Sequence, residues 1–207
     1  MATYTWVDLN IPEAALLADL NGVSVDLSSA KDMAQLLKDA LDSGRPKWEI
    51  VEPYSIAIAV RYSRPFVTGV RTRLGEQDLT IFSPEQRDAH ERLRAYRDKH
   101  IAHSVNEFEE NLPRANYCEE RVREEGITSI GCSHSRVAGL SPRDLENVVE
   151  LSTLMLKHVE SRMAQEKTRL LSIVRGMPLD AVLAGGQKSF VVDHKTPIDR
   201  RRKKHAS

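Results

Sequence analysis

The stretch from Ser141 to Val174 limits the possible folds more than any other. Ser141-Pro142-Arg143-Asp144 puts a capping hydroxyl before a proline at the first helical position. No glycine or proline then interrupts the chain until Gly176 and Pro178. Leu145, Val148, Ser152, Met155, Val159, Met163, Leu170 and Val174 recur at helical spacing. One long amphipathic helix with an apolar stripe follows from this pattern. The stripe needs cover from other helices or from a second subunit, so it reads as core or dimer interface and not as a cofactor box.

The rest of the chain can supply that cover. Its 207 residues suffice for one domain with a tail. They are 41% apolar and 29% charged, an ordinary globular balance. Aromatics are only 5%, so the core must rest on Leu, Ile, Val and Ala, which suits helices. A first helix is expected from Ile11 to Leu20, capped by Asn10, opened by Pro12 and stopped by Asn21-Gly22. A second is expected from about Ser29 to Leu41, ended by Ser43-Gly44. Trp48 to Tyr62 is rich in β-branched residues, but it is long for a strand and apolar on most sides. It reads as a buried helix starting near Pro53 and ending at Arg64-Pro65. Phe66 to Ile81 reads as a connection.

Ser83-Pro84-Glu85-Gln86 carries a capping box and opens a helix to about His103. A polar segment containing Pro113 follows. Tyr117 to Val137 reads as a β-hairpin turning at Glu124-Glu125-Gly126. The expected fold is therefore all-α, a bundle of four to five helices with a small β-hairpin insertion before the last long helix. Residues 1–176 would form the domain, with the hairpin at about 117–137, and 177–207 a loose basic tail.

Several classes are disfavoured. The longest nearly apolar run, Ile56 to Val60, is too short to span a bilayer, which takes about 20 residues. The N-terminus lacks a signal-peptide pattern, so a cytoplasmic location and no membrane partner are expected. No glycine-rich phosphate loop, nucleophile elbow or His-Glu-x-x-His pattern occurs. Net charge is zero, so any nucleic-acid contact must come from a local patch. Arg200, Arg201 and Arg202 in the tail form one candidate patch for RNA phosphates.

The segment that carries chemistry is the end of the fourth helix. Its stripe, Ala89, Leu93 and Tyr96, continues at spacings of four and three to His100 and His103, flanked by Arg97 and Asp98. Burying unpaired polar groups costs about 1–3 kcal/mol each, so such a seam calls for a reason. Histidine moves a proton near neutral pH, and arginine is a permanent donor suited to phosphate. Together they are what phosphodiester cleavage by a ribose hydroxyl would use. The alternative reading is structural: cations at a helix C-terminus interact well with the macrodipole and can cap its carbonyls.

Arg97-Asp98-Lys99-His100-Ile101-Ala102-His103 resembles the signature of HEPN domains, an Arg followed by a polar residue and, a few positions later, a His. The phrase from Leu93 to Ser104 looks most like the abortive-infection and toxin-type branch. The resemblance implies a helical homodimer acting as a metal-independent endoribonuclease without cofactor, its site at the dimer interface. Arg97 would then bind and polarise the phosphate, and His103 would be the general acid/base. Asp98 would orient one of them, and His100 is a second titratable neighbour. Arg94 and His100 repeat the same spacing, but Asp98 as the polar follower favours Arg97. Arg94 and Lys99 are then candidate RNA contacts. On an ideal helix Arg97 and His103 stand about 120° apart, so a bend or a partner subunit would have to bring them together. A toxin or phage-defence role would imply a cognate antitoxin. The competing reading is a non-catalytic helical dimer, an RNA-binding or protein-interaction module.

The chain has two cysteines, too few for a disulfide framework. Cys118 and Cys132 are expected on the two arms of the hairpin, opposite each other for a three-residue turn and on opposite faces for a two-residue turn. With His134 they make a poor zinc signature, and free thiols are expected.

Overall fold

In a computed structural model the chain is all-α, a helical bundle with a two-stranded hairpin before the last long helix. The structure describes residues 6–44, 48–69, 71–101, 109–136 and 139–186. The helices are α1 (Ala15–Asp42), α2 (Trp48–Ser63), α3 (Pro84–Ala95), α4 (Val122–Glu125), α5 (Pro142–Arg175) and α6 (Leu179–Leu183). The strands are β1 (Glu109–Tyr117) and β2 (Ile127–Arg136).

The long last helix forms where its stripe predicts. Leu145, Val148, Ser152, Met155, Val159 and Leu170 are buried, while Met163 and Val174 are half-buried. Its start is held by Ser141 and Asp144. The Asp144 amide donates to the Ser141 hydroxyl at 3.2 Å, and the Ser141 amide donates to the Asp144 carboxylate at 3.2 Å.

Four expectations need correction. The first two helices are one: α1 passes through Asn21-Gly22 without a break. Asn10 does not cap it; a 3-10 turn at Pro12–Ala14 precedes it, and the Asn10 side-chain Nδ2 donates to the Gly185 carbonyl at 3.3 Å. Next, α2 starts at Trp48, so Pro53 lies inside it and removes one backbone donor. Val51 is buried, and Ser55 Oγ accepts from the Leu140 amide at 3.0 Å.

The hairpin also lies earlier than expected. Its first strand is the polar segment with Pro113, and Tyr117 ends that strand instead of opening it. Both strands of a two-stranded sheet are edges, so a proline without an N–H is tolerated. The arms are joined through a 3-10 turn at Glu119–Arg121 and α4, not a tight turn, and one extra β2 residue sits beside Asn116 and Tyr117. Finally, residues 177–186 are not loose tail. α6 lies there, and the Asp8 amide donates to the Gly186 carbonyl at 3.0 Å.

Two compact units divide the chain. The first comprises Met1–Ser28, Arg64–Ile81 and Thr153–Ser207. Its buried side chains include Leu20, Val23 and Leu27 of α1, Phe66, Leu74 and Leu79 of the connection, and Met155, Val159 and Leu170 of α5. Buried Asp78 ties the connection to α5, accepting from His158 Nε2 at 2.8 Å and Arg162 Nη1 at 2.7 Å.

The second unit comprises Ser29–Ser63 and Phe82–Ser152. Ala30, Ala34 and Leu37 of α1, Ile58, Ala59 and Tyr62 of α2, Ala89, His90 and Leu93 of α3, and Leu145, Val148 and Leu151 of α5 are buried in it. Tyr62 and His90 are both fully buried and share a hydrogen bond of 2.8 Å between the phenol and Nδ1.

Candidate active site

The candidate site grows out of α3. Its capping box forms as the sequence predicts: the Gln86 amide donates to Ser83 Oγ at 3.2 Å, and the Ser83 amide donates to Gln86 Oε1 at 2.9 Å. Ala89, His90 and Leu93 face inward. At Tyr96 the helix widens into a π-helical turn, Tyr96–Ile101. Single π turns are rare and recur at functional sites. The turn is seated by Tyr96, which is buried; that burial pushes its phenol up to about 12.

Arg97 and Asp98 follow directly on this anchored residue. Arg97 Nη1 lies 2.7 Å from Asp98 Oδ1, and the two side chains are 35% and 48% exposed. The guanidinium is thus oriented by its neighbour and open to solvent, and other donors of its fork can receive a phosphate. Of the two roles offered for Asp98, the contact with Arg97 is present. Arg94 is half-buried; its Nη1 stands 3.8 Å from Glu91, and its Nε has no hydrogen-bond partner among the described residues. Lys99 is exposed.

His103, Arg200, Arg201 and Arg202 lie outside the described residues, as does the side chain of His100. The angle of about 120° expected between Arg97 and His103 assumed 3.6 residues per turn, and a π turn does not keep that period.

The cysteines do not stand as expected. Cys118 sits beyond the end of β1 and donates to Glu120 Oε2 at 3.0 Å, whereas Cys132 lies on β2 opposite Pro113. Both are free thiols. His134 shares a 2.8 Å hydrogen bond with Asn111 across the hairpin. Among the described residues no three metal-ligating side chains cluster, and no helix is long and apolar enough to cross a membrane.

No family model matches this chain, and no curated protein or solved structure matches it either. The likeness to HEPN domains therefore stands on Leu93 to Ser104 alone.

Arginines outside the expected site had no motif to announce them. Arg71 and Arg73 lie in the segment read as a mere connection, and Arg64 lies where the helix before it was expected to end. The only hint in the sequence is the density of arginine between Arg64 and Arg73, in a stretch with no helical period.

Proposed function

We propose that this protein is a metal-independent endoribonuclease of HEPN type, acting as a toxin or phage-defence effector. The observation that supports it best is the Arg97–Asp98 pair, presented on an accessible π turn that is anchored by buried Tyr96. In this reading Arg97 takes a bridging phosphate by two of its N–H groups. His103 removes the proton from the ribose 2′-hydroxyl, whose oxygen attacks phosphorus. Arg97 stabilises the phosphorane charge, and a protonated imidazole returns a proton to the departing 5′-oxygen. The products are a 2′,3′-cyclic phosphate and a 5′-hydroxyl. A homodimer would bring together Arg and His from two subunits, and an antitoxin would be a protein covering this turn. The protein would act in the cytoplasm.

The test is cleavage of a mixed single-stranded and structured RNA pool in excess chelator. We expect cyclic phosphate ends from the wild type. His103→Ala and Arg97→Ala should each lower the rate by about a hundredfold or more. A well-folded wild type that cleaves no RNA, or an unaffected His103→Ala, would overturn the ribonuclease reading. The remaining reading would then be a helical module that binds RNA or protein, with Arg97 and Asp98 as a structural pair.

A further inference from the structure

The first unit holds a cleft of about 280 Å³ lined by Val23 and Asp26 of α1 and, from its segment Arg64–Ile81, by Arg64, Pro65, Val67, Arg71 and Arg73 among others. We propose that this cleft binds the phosphate of a small phosphate ester, a molecule of nucleoside-monophosphate size. The proposal does not rest on the ribonuclease reading, whose catalytic candidates Arg97 and His103 belong to the other unit.

The carboxylate comes first. Asp26 is 3% exposed and meets one arginine with each oxygen: Oδ1 takes Arg64 Nη1 at 3.2 Å, and Oδ2 takes Arg71 Nη1 at 3.1 Å. A buried carboxylate needs such partners, so one cation could be explained as its counterion. Two already exceed one negative charge. A third, Arg73, lines the same cleft and is positioned by Thr68, whose hydroxyl accepts from Arg73 Nη1 at 2.9 Å. Three permanent cations thus line one cavity whose lining includes a single carboxylate, Asp26. Among the described residues no second carboxylate pairs with Arg64, Arg71 or Arg73.

The arginines are also held in place, as an anion site requires. The connection is tied to α1 by Asp19, which accepts from the Thr72 amide at 2.8 Å. The Arg71 guanidinium lies over Gly22, where an added Cβ would come within 2.7 Å of its Nη1. Each guanidinium carries five N–H donors in a rigid fork, and the bond to Asp26 for Arg64 and Arg71, or to Thr68 for Arg73, uses one, so further donors can meet phosphate oxygens. Val23, Pro65 and Val67 offer an apolar wall for the organic part of the ester. The volume lies near the lower end for small-molecule clefts, which suits a mononucleotide or a sugar phosphate and not a large cofactor.

Calorimetric titration of the whole protein in low-chloride buffer tests this, with inorganic phosphate, a nucleoside 5′-monophosphate and the uncharged nucleoside as separate arms. The monophosphate should bind, phosphate more weakly, and the nucleoside not at all. Binding of phosphate alone would mean that the ester's organic part makes no contact, and would overturn the size assignment. Arg73→Ala should weaken the monophosphate by about tenfold or more and leave the thermal midpoint unchanged, because Arg73 does not hold Asp26. Gly22→Ala should weaken it too, by crowding Arg71. The proposal is overturned if the folded protein binds neither anion at ligand concentrations on the order of 1 mM. Affinity insensitive to Arg73→Ala, or sensitivity to that change for an RNA strand only, would overturn it as well.

Discussion

At the scale of single residues, Gly22 and His90 show how tertiary contacts override local meaning. Glycine after asparagine is a stop signal when the helix has nothing to gain by continuing. Here α1 continues, because Leu20, Val23 and Leu27 are buried on one face and their burial outweighs a glycine penalty of about 1 kcal/mol. The missing Cβ leaves room for the Arg71 guanidinium, which would have to shift to clear an added Cβ. His90 was no candidate for anything in the sequence, yet it is fully buried against Tyr62. Burial also pushes the Tyr62 phenol well above its ordinary value, so the phenol stays protonated over the whole working range. Tyr62→Phe removes the hydroxyl and little volume. It should cost about 1–2 kcal/mol, seen as a lower urea midpoint at constant slope. An unchanged midpoint would show that the 2.8 Å contact contributes no net stability.

At the scale of elements, capped helix starts were legible and helix continuity was not. Ser83 and Ser141 act through bonds within a few residues, so their roles are written locally. Ser83→Ala should cost about 1 kcal/mol by thermal or urea unfolding, and Ser83→Gly only a few tenths. Because Ser83 lies at the opposite end of α3 from Arg97, RNA cleavage per folded molecule should be unaffected by either change. A loss of activity at full folding would show that the cap also positions the π turn. The start of α2 was not legible, since Pro53 imitates a first-turn proline while the turn before it carries Val51, which is buried beside Gly139. The hairpin was displaced for a related reason: a proline among polar residues argues against a strand, except on an edge.

At the scale of the whole molecule, the chain closes through contacts distant in sequence. Arg169 of α5 pairs with buried Glu166, its Nε 2.9 Å from Oε2, and also donates to the Glu13 carbonyl near the N-terminus at 2.8 Å. The hydrogen bond from Arg169 holds the Glu166 carboxyl below its ordinary value of 4.5. The unfolded chain then binds more protons in that range. Stability from this group is complete above the ordinary carboxylate range and is lost as pH falls through the folded value. Glu166→Gln should therefore be less stable than wild type at neutral pH, and the difference should shrink on acidification below 4.5. Thermal midpoints across that range measure it, and a difference constant with pH would remove Glu166 from the acid response.

What the sequence determined by itself was whatever rests on short-range physics. The 3.6-residue period, the serine caps and the scarcity of aromatics specified an all-α fold and the bounds of its last long helix to within a residue or so. They also brought Arg97 to a helix end beside Asp98, since adjacency in sequence ensures adjacency in space. Tertiary structure decided the rest. The π turn at Tyr96, the passage of α1 through Gly22 and the gathering of Arg64, Arg71 and Arg73 around Asp26 depend on side chains brought together by packing. Such partners lie tens of residues apart, so no local pattern encodes them; only burial of the intervening chain gives Asp26 a reason to be paired.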